Sequence, residues 1–156
     1  VARSPRRALP LAPSGDSMTA RLDGRVAIVT GGTRGIGEAI AAALLADGAQ
    51  VVVASRKAPN IAAAVERLSA DAPGRVHGHA VHMGDLESIR ALLAHTVDVA
   101  GTPDILVNNA ATNPYFGPMM GLEWAAWDKT FDVNLKGPFA LTRAFAQGLM
   151  AADKPG

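Results

Sequence analysis

The sequence contains no cysteine. That excludes disulfides, thiolate nucleophiles and Cys-ligated zinc together, and it agrees with a reducing, cytoplasmic setting. Charge of one sign is not in excess either: 15 basic residues stand against 14 acidic ones, mostly mixed along the chain, for a formal net charge of +1. The one-sided basic footprint of a nucleic-acid binder is missing, so nucleic acid is not an expected partner. No apolar run approaches the roughly 18 residues of a membrane span, so no membrane partner is expected. No internal repeat is visible. What is present is 49% hydrophobic content over 156 residues, enough for one globular core.

The first 17 residues, VARSPRRALPLAPSGDS, carry three prolines, three arginines and a single acid. They read as a disordered tail. Arg6 and Arg7 ahead of Ala8 and Leu9 invite a targeting reading, but Pro10 and Pro13 cut the apolar region too short for one. Met18 is the more natural start of a domain running over 18–156.

Within that domain, apolar runs alternate with helical patterns. RVAIVT, Arg25 to Thr30, ends in glycines. Ile36, Ile40, Ala43 and Leu44 then recur at helical spacing until Gly48 closes the turn. QVVVAS is a second buried-type strand, followed by a helix with Pro59 near its first turn and Ile61, Val65 and Leu68 on one face. RVHGHAVH reads as a third, weaker strand. Asp85 can cap the next helix, which Gly101 and Pro103 end. DILVNN is a fourth strand, an irregular segment covers Ala111 to Gly121, and a long helix runs from about Trp124 to Met150. Continuous apolar strands alternating with helices argue for a parallel sheet covered on both faces. The expected fold is a Rossmann-type, doubly wound α/β sheet. Ligands of such sheets bind beyond the carboxyl ends of the strands, where Gly31, Arg56, Asp85 and Asn108 fall.

The stretch TGGTRGIG, between the first strand and the first helix, has glycines at 31, 35 and 37. A pyrophosphate needs backbone N–H groups and a helix N-terminus close by, and residues without Cβ permit that approach. A glycine-rich turn that only packs tightly is the plainer alternative. At the end of the second strand an acid would bond an adenosine ribose and a base would accommodate a 2′-phosphate. Here the chain reads ASRK, so Arg56 favours NADP(H), with NAD(H) as the lesser option, and Arg34 in the glycine loop adds a second positive group. Solvated surface arginines are the bland reading of each.

TGGTRGIG, an acid after the third strand in GDLES, DILVNNAA after the fourth and DVNLKG in the next helix together resemble the short-chain dehydrogenase/reductase family, over about Leu22 to Leu149. SRKAPN and NNAATNPYFGPMM further resemble the carbonyl reductases of the dehydrogenase/reductase member 4 type and bacterial 3-oxoacyl-carrier-protein reductase-like members. The resemblance implies an oxidoreductase moving hydride between nicotinamide and a small carbonyl or alcohol substrate. It implies a cofactor site formed by Gly31, Thr33, Arg34, Gly35, Ile36, Gly37, Ser55 and Arg56, with Asp85 and Leu86 approaching the adenine. Asn108, Asn109, Ala110 and Ala111 would support the central strand and the ribose. Plain helix capping remains open for Asp85, as does a local turn amide for Asn109.

The resemblance also implies four catalytic groups: an Asn that maintains a water relay, a Ser that holds the substrate oxygen, and a Tyr-x-x-x-Lys pair whose Lys lowers the pKa of the proton-donating Tyr. Asn134 matches the Asn. Pro138, four residues on, has no N–H to return to the Asn134 carbonyl, which is therefore free for another partner. The only tyrosine, Tyr115, is followed by FGPM and lies before the long helix, so it does not match. The chain is expected to be the N-terminal, cofactor-binding half of the fold, cut after about four strands and inactive alone; the alternatives are a non-catalytic dinucleotide-binding or dimerisation module and the product of a disrupted reading frame. DILVNN would then be an exposed edge. Together with the aromatic residues of the long helix, this leads us to expect a homo-oligomer or association with a full-length relative. Trp124 and Trp127 read as core or interface anchors. His77, His79 and His82 have a spacing a metal can use, but without a third carboxylate or thiolate ligand no metal is expected.

Overall fold

The computed structural model describes residues 21–154. The expected tail and the Met18 start lie outside the described residues. The chain forms strands β1 (Val26–Thr30), β2 (Gln50–Ser55), β3 (Val76–Ala80) and β4 (Ile105–Val107). Between and after them run helices α1 (Gly35–Ala46), α2 (Ala58–Ser69), α3 (Leu86–Ala100), α4 (Trp124–Phe131) and α5 (Gly137–Ala151). The strands pair in the order β3-β2-β1-β4, all parallel, with Val29 opposite both Val53 and Val107.

Every residue of β1 is buried, because both faces of the sheet are covered. Ala27 and Val29, with Val51 and Val53, face a core closed by Ala41 and Leu45 of α1 and Leu68 of α2. Ile28, with Val52 and Ala54, faces the opposite core, closed by Ile89 and Leu92 of α3, by Leu141 of α5 and by Val133 just before α5. The continuous apolar strands of the sequence thus split by parity onto two helical layers, as a doubly wound sheet requires. The chain winds outward through β2 and β3, then crosses back to place β4 on the other flank of β1. This reversal opens a crevice between the carboxyl ends of β1 and β4.

Several details depart from the sequence expectations. The buried face of α1 is Gly37, Ala41 and Leu45, while Ile36 and Ala43 are exposed. The helix is apolar nearly all round, so periodicity alone does not choose its face; the close approach at Gly37 does. β3 is limited to Val76–Ala80; just before it, the Arg75 guanidinium donates to the carbonyls of Leu45 (2.7 Å) in the last turn of α1 and of Ala49 (3.2 Å) beyond it. β4 is shorter than DILVNN. Its entry is fixed by Asp104, which accepts from the Val26 N–H at 3.0 Å and pairs with Arg25 at 3.3 Å. The expected long helix is interrupted: residues Asp132–Lys136 form a π-helical turn between α4 and α5. The cause is local. Pro138 cannot bond to the carbonyl four residues back and its ring crowds that carbonyl, and a widened turn relieves both. The caps of α3 are as expected: Asp85 accepts from the Glu87 and Ser88 N–H groups and Gly101 (φ +97) ends the helix. Among the described residues, no helix is long and apolar enough to cross a membrane.

Candidate cofactor site

A cleft of about 420 Å³ opens at the carboxyl ends of β1, β2 and β4. Its floor is the glycine turn. Gly31 (φ +66) and Gly35 (φ +57) adopt left-handed backbone that side chains resist. A Cβ on Gly31 would lie 2.8 Å from Asn109 Nδ2, and one on Gly37 would overlap both that nitrogen and the Gly31 carbonyl. At Gly35 the space beyond the backbone is open. Gly31 and Gly37 thus close the turn inward, whereas Gly35 leaves its outer side free for a ligand. The N-cap of α1, Arg34, is fully extended and makes no side-chain capping bond, so the first-turn N–H groups of α1 remain available.

Thr33, Arg34, Ile36, Ser55 and Arg56 line this same cleft, so the two arginines 22 positions apart in sequence converge on it. Residues 109–111 form the opposite wall, joined by Thr112. Asn109 is the brace between the walls: its Nδ2 donates to the carbonyls of Thr30 (3.0 Å) and Gly31 (3.2 Å). Thr30, fully buried at the end of β1, completes the brace. Its hydroxyl donates to the Val107 carbonyl at 3.1 Å and accepts from the N–H groups of Asn109 (3.0 Å) and Ala110 (3.1 Å).

Other expected site residues lie elsewhere. Asp85 caps α3 through Oδ1, which accepts from the Glu87 and Ser88 N–H groups, and is not among the residues lining the cleft. Leu86 lines a separate groove of about 640 Å³ between α3 and α5. Val81 and Met83 occupy the cleft wall on the β3 side instead. Asn108 turns away from the cleft, donating to Thr142 Oγ1 of α5 at 3.0 Å. Asn134 sits in the π turn, and its side chain clamps the backbone of Thr112 at both groups, accepting from the N–H at 2.8 Å and donating to the carbonyl at 2.8 Å. The neighbouring Val133 reaches the cleft wall. Sequence reasoning missed Thr30, Thr112 and the Val81–Met83 wall. The available signal for Thr30 was a lone hydroxyl ending an otherwise apolar strand.

The histidines of β3 do not form a metal cluster. His79 stacks on His95 of α3 with ring centroids 4.6 Å apart, and His77 Nε2 is buried without a hydrogen-bond partner. Among the described residues, no group of three His, Asp or Glu side chains is placed to hold a metal ion.

The sheet and its cleft have counterparts among known proteins. The chain is 45% identical over 134 residues to dehydrogenase/reductase SDR family member 4 of Homo sapiens, covering 86% of this chain and 48% of that protein. Human dehydrogenase/reductase SDR family member 2, mitochondrial, is 42% identical over 77% of this chain and 42% of its own length. The chain therefore spans about half the length of the curated relatives it matches. A metagenomic short-chain oxidoreductase, solved in complex with NADP, superposes with a TM-score of 0.78 at 39% identity, over 86% of this chain and 60% of that one. L-Sorbose reductase from Gluconobacter frateurii, complexed with NADPH and L-sorbose, superposes with a TM-score of 0.79 at 28% identity, over 86% of this chain and 51% of that one. The sequence model of the short chain dehydrogenases matches residues 25–156, from the residue before β1 through α5, and with the glycine turn, the Asn109 brace and the parallel sheet already in place, the chain belongs to that family.

Proposed function

We propose that this chain is the cofactor-binding half of an NADP(H)-preferring oxidoreductase that transfers hydride between nicotinamide and a ketone or secondary alcohol. The observation that carries the reading is the convergence of Arg34 and Arg56 on the cleft at the uncapped N-terminus of α1. Glycine backbone and the first turn of α1 would hold the pyrophosphate, and the two guanidinium groups would take the 2′-phosphate. When bound, the dinucleotide supplies the hydride. Asn109 and Thr30 keep the glycine turn and the 109–111 wall in register. Asn134 holds Thr112 at the mouth of the cleft.

The proton donor of such a reaction is not found in the 156 residues. Tyr115, the only tyrosine, donates its hydroxyl to the Pro118 carbonyl at 2.8 Å and has no lysine four positions on. The chain on its own should therefore bind NADPH without oxidising it. Titration of NADPH and NADH fluorescence tests the first half, with NADPH favoured by about tenfold or more and the preference lost in Arg34→Ala/Arg56→Ala. Equal affinity for the two cofactors would overturn the NADP(H) preference, and carbonyl-dependent NADPH oxidation would overturn the division of labour.

A second reading, a non-catalytic dinucleotide-binding or dimerisation module, is favoured by the exposed aromatic side chains of α4 and α5, where Trp124 and Phe139 stand largely in solvent and Trp127 packs between Trp124 and Phe131, and by β4 ending the sheet among the described strands. Co-expression with a full-length relative separates the two. A stable mixed complex supports the module, and a chain that stays apart does not.

A further inference from the structure

Arg67, near the end of α2, reaches across to the glycine turn. Its Nε donates to Glu38 Oε1 at 2.8 Å, and its Nη2 donates to the Thr33 carbonyl at 3.2 Å. The depression between α1 and α2 that holds Arg67 and Glu38 meets the cofactor cleft only at Gly35, so this contact grips the turn from behind.

Two consequences follow from elementary geometry and charge. The Thr33–Arg34 peptide is trans, so its carbonyl and its N–H point in opposite directions. Drawing the Thr33 carbonyl toward α2 aims the Arg34 N–H away from α2, and Arg34 is a cleft residue. Glu38, meanwhile, lies in the first turn of α1, at the positive end of the helix where a phosphate would bind. An unpaired carboxylate there would repel that phosphate. The hydrogen bond from Arg67 cancels it, and the same bond holds the Arg67 guanidinium even more firmly in its charged form.

We propose that Arg67 is a positioning residue for the phosphate loop: it fixes the Thr33–Arg34 peptide in its cleft-facing orientation and neutralises Glu38 beside the phosphate position. This rests on the reading of the cleft as a dinucleotide site.

The test uses the 156-residue chain and two readouts. The first is the dissociation constant for NADPH. Arg67→Met should weaken binding by about tenfold, as expected for losing a charge-assisted bond and baring an acid. Adding Glu38→Gln to Arg67→Met should recover about threefold of that loss, and Arg67→Lys, which keeps the charge, should also recover part of it. A role confined to packing α2 on α1 would show neither recovery. The second readout is amide hydrogen exchange of residues 31–37 without cofactor, which Arg67→Met should accelerate while the protection of β1 and β2 is unchanged. NADPH affinity of Arg67→Met within twofold of the wild-type chain, or unchanged exchange in 31–37, overturns the proposal. A wild-type chain that fails to bind NADPH overturns the proposed function instead, and the exchange result alone then decides whether Arg67 tethers the turn.

Discussion

Along β1, from Val26 to Thr30, no residue is exposed, and the glycine turn that follows is tied by the Gly31 N–H to β2, by Asn109 to its carbonyls and by Arg67 to Thr33, leaving its cleft side open. Across the cleft the wall is built otherwise. β4 has three half-buried residues, and beyond it Phe116, Met119, Met120 and Trp124 stand in solvent, Phe116 at 99% exposure. The first wall is closed by contacts within the described residues. The second is held by the short β1–β4 ladder and by side-chain ties, among them Thr30 to β4, the Asn109 brace and Asn134 to Thr112. Rigidity of a ligand site here comes from where the chain can bury its own backbone polar groups, and the glycine side does so far more completely.

The contrast is broken most severely at Gly37. A Cβ there would overlap the Gly31 carbonyl and Asn109 Nδ2, neither of which can retreat without opening the turn. Gly37→Ala should cost about 3 kcal/mol and abolish NADPH binding, read by urea denaturation and fluorescence titration. Gly35→Ala is the matching control. Its φ of +57 strains an alanine by about 1 kcal/mol, but the space is open, so the fold should survive. Equal losses in the two variants would refute the distinction between an inward-closing glycine and a ligand-facing one.

Thr30→Val asks how far the two walls are joined through one hydroxyl. The substitution keeps shape and leaves the Val107 carbonyl and the Asn109 and Ala110 N–H groups short of a partner. A loss of about 2 kcal/mol in global stability is expected. Asn134→Ala should be milder, about 1 kcal/mol, because Thr112 is only half-buried and water can replace part of the clamp. Its signature is regional: hydrogen exchange around residues 110–116 should quicken while β1 and β2 stay protected. Uniformly quickened exchange would mean that the two walls unfold as one unit.

What the sequence made legible follows the same division. Four parallel strands, the glycine turn and the arginine pair could be read because each is a local pattern: a continuous apolar run, glycines between strand and helix, a basic residue after β2. The cap of α3 was equally local. The buried face of α1 could not be read, since an apolar residue on nearly every side leaves the choice to tertiary contact at Gly37. Pro138 announced a disturbance of the helix at Asn134 but not the π turn, whose form depends on α5 docking through Gly137, where a Cβ would overlap the Met83 carbonyl. The role of Thr30 was hidden because it exists only once β4, 77 positions on, lies alongside β1. Asp85 and Leu86 were carried over by resemblance; the residues that line the cleft on that side are Val81 and Met83.

The smallest expected effect concerns the β3 flank, the edge opposite β4. His77 and His79 alternate with Gly78 on this strand, and α3 lays His95 against His79. Burial is the main cause lowering the pKa of both His77 and His79, and the positive charge His95 can acquire adds to it. The folded protein therefore binds protons at these positions less readily than the unfolded chain does. Their contribution to stability is complete above the unfolded histidine pKa of about 6.5 and declines as pH falls from there through the lower folded values. Urea denaturation midpoints at pH 7.5 and pH 5.0 should differ, with the acid value lower, and His77→Gln/His79→Gln should flatten that difference. The α2 side of β3 offers no opposing charge at Gly78, where Ile61 and Val65 make the contact, so no acid there reverses the sign. If the midpoint instead rises toward pH 5.0, the imidazoles gain a favourable partner on protonation, and the β3 edge is held by charge rather than by the apolar packing that holds β1.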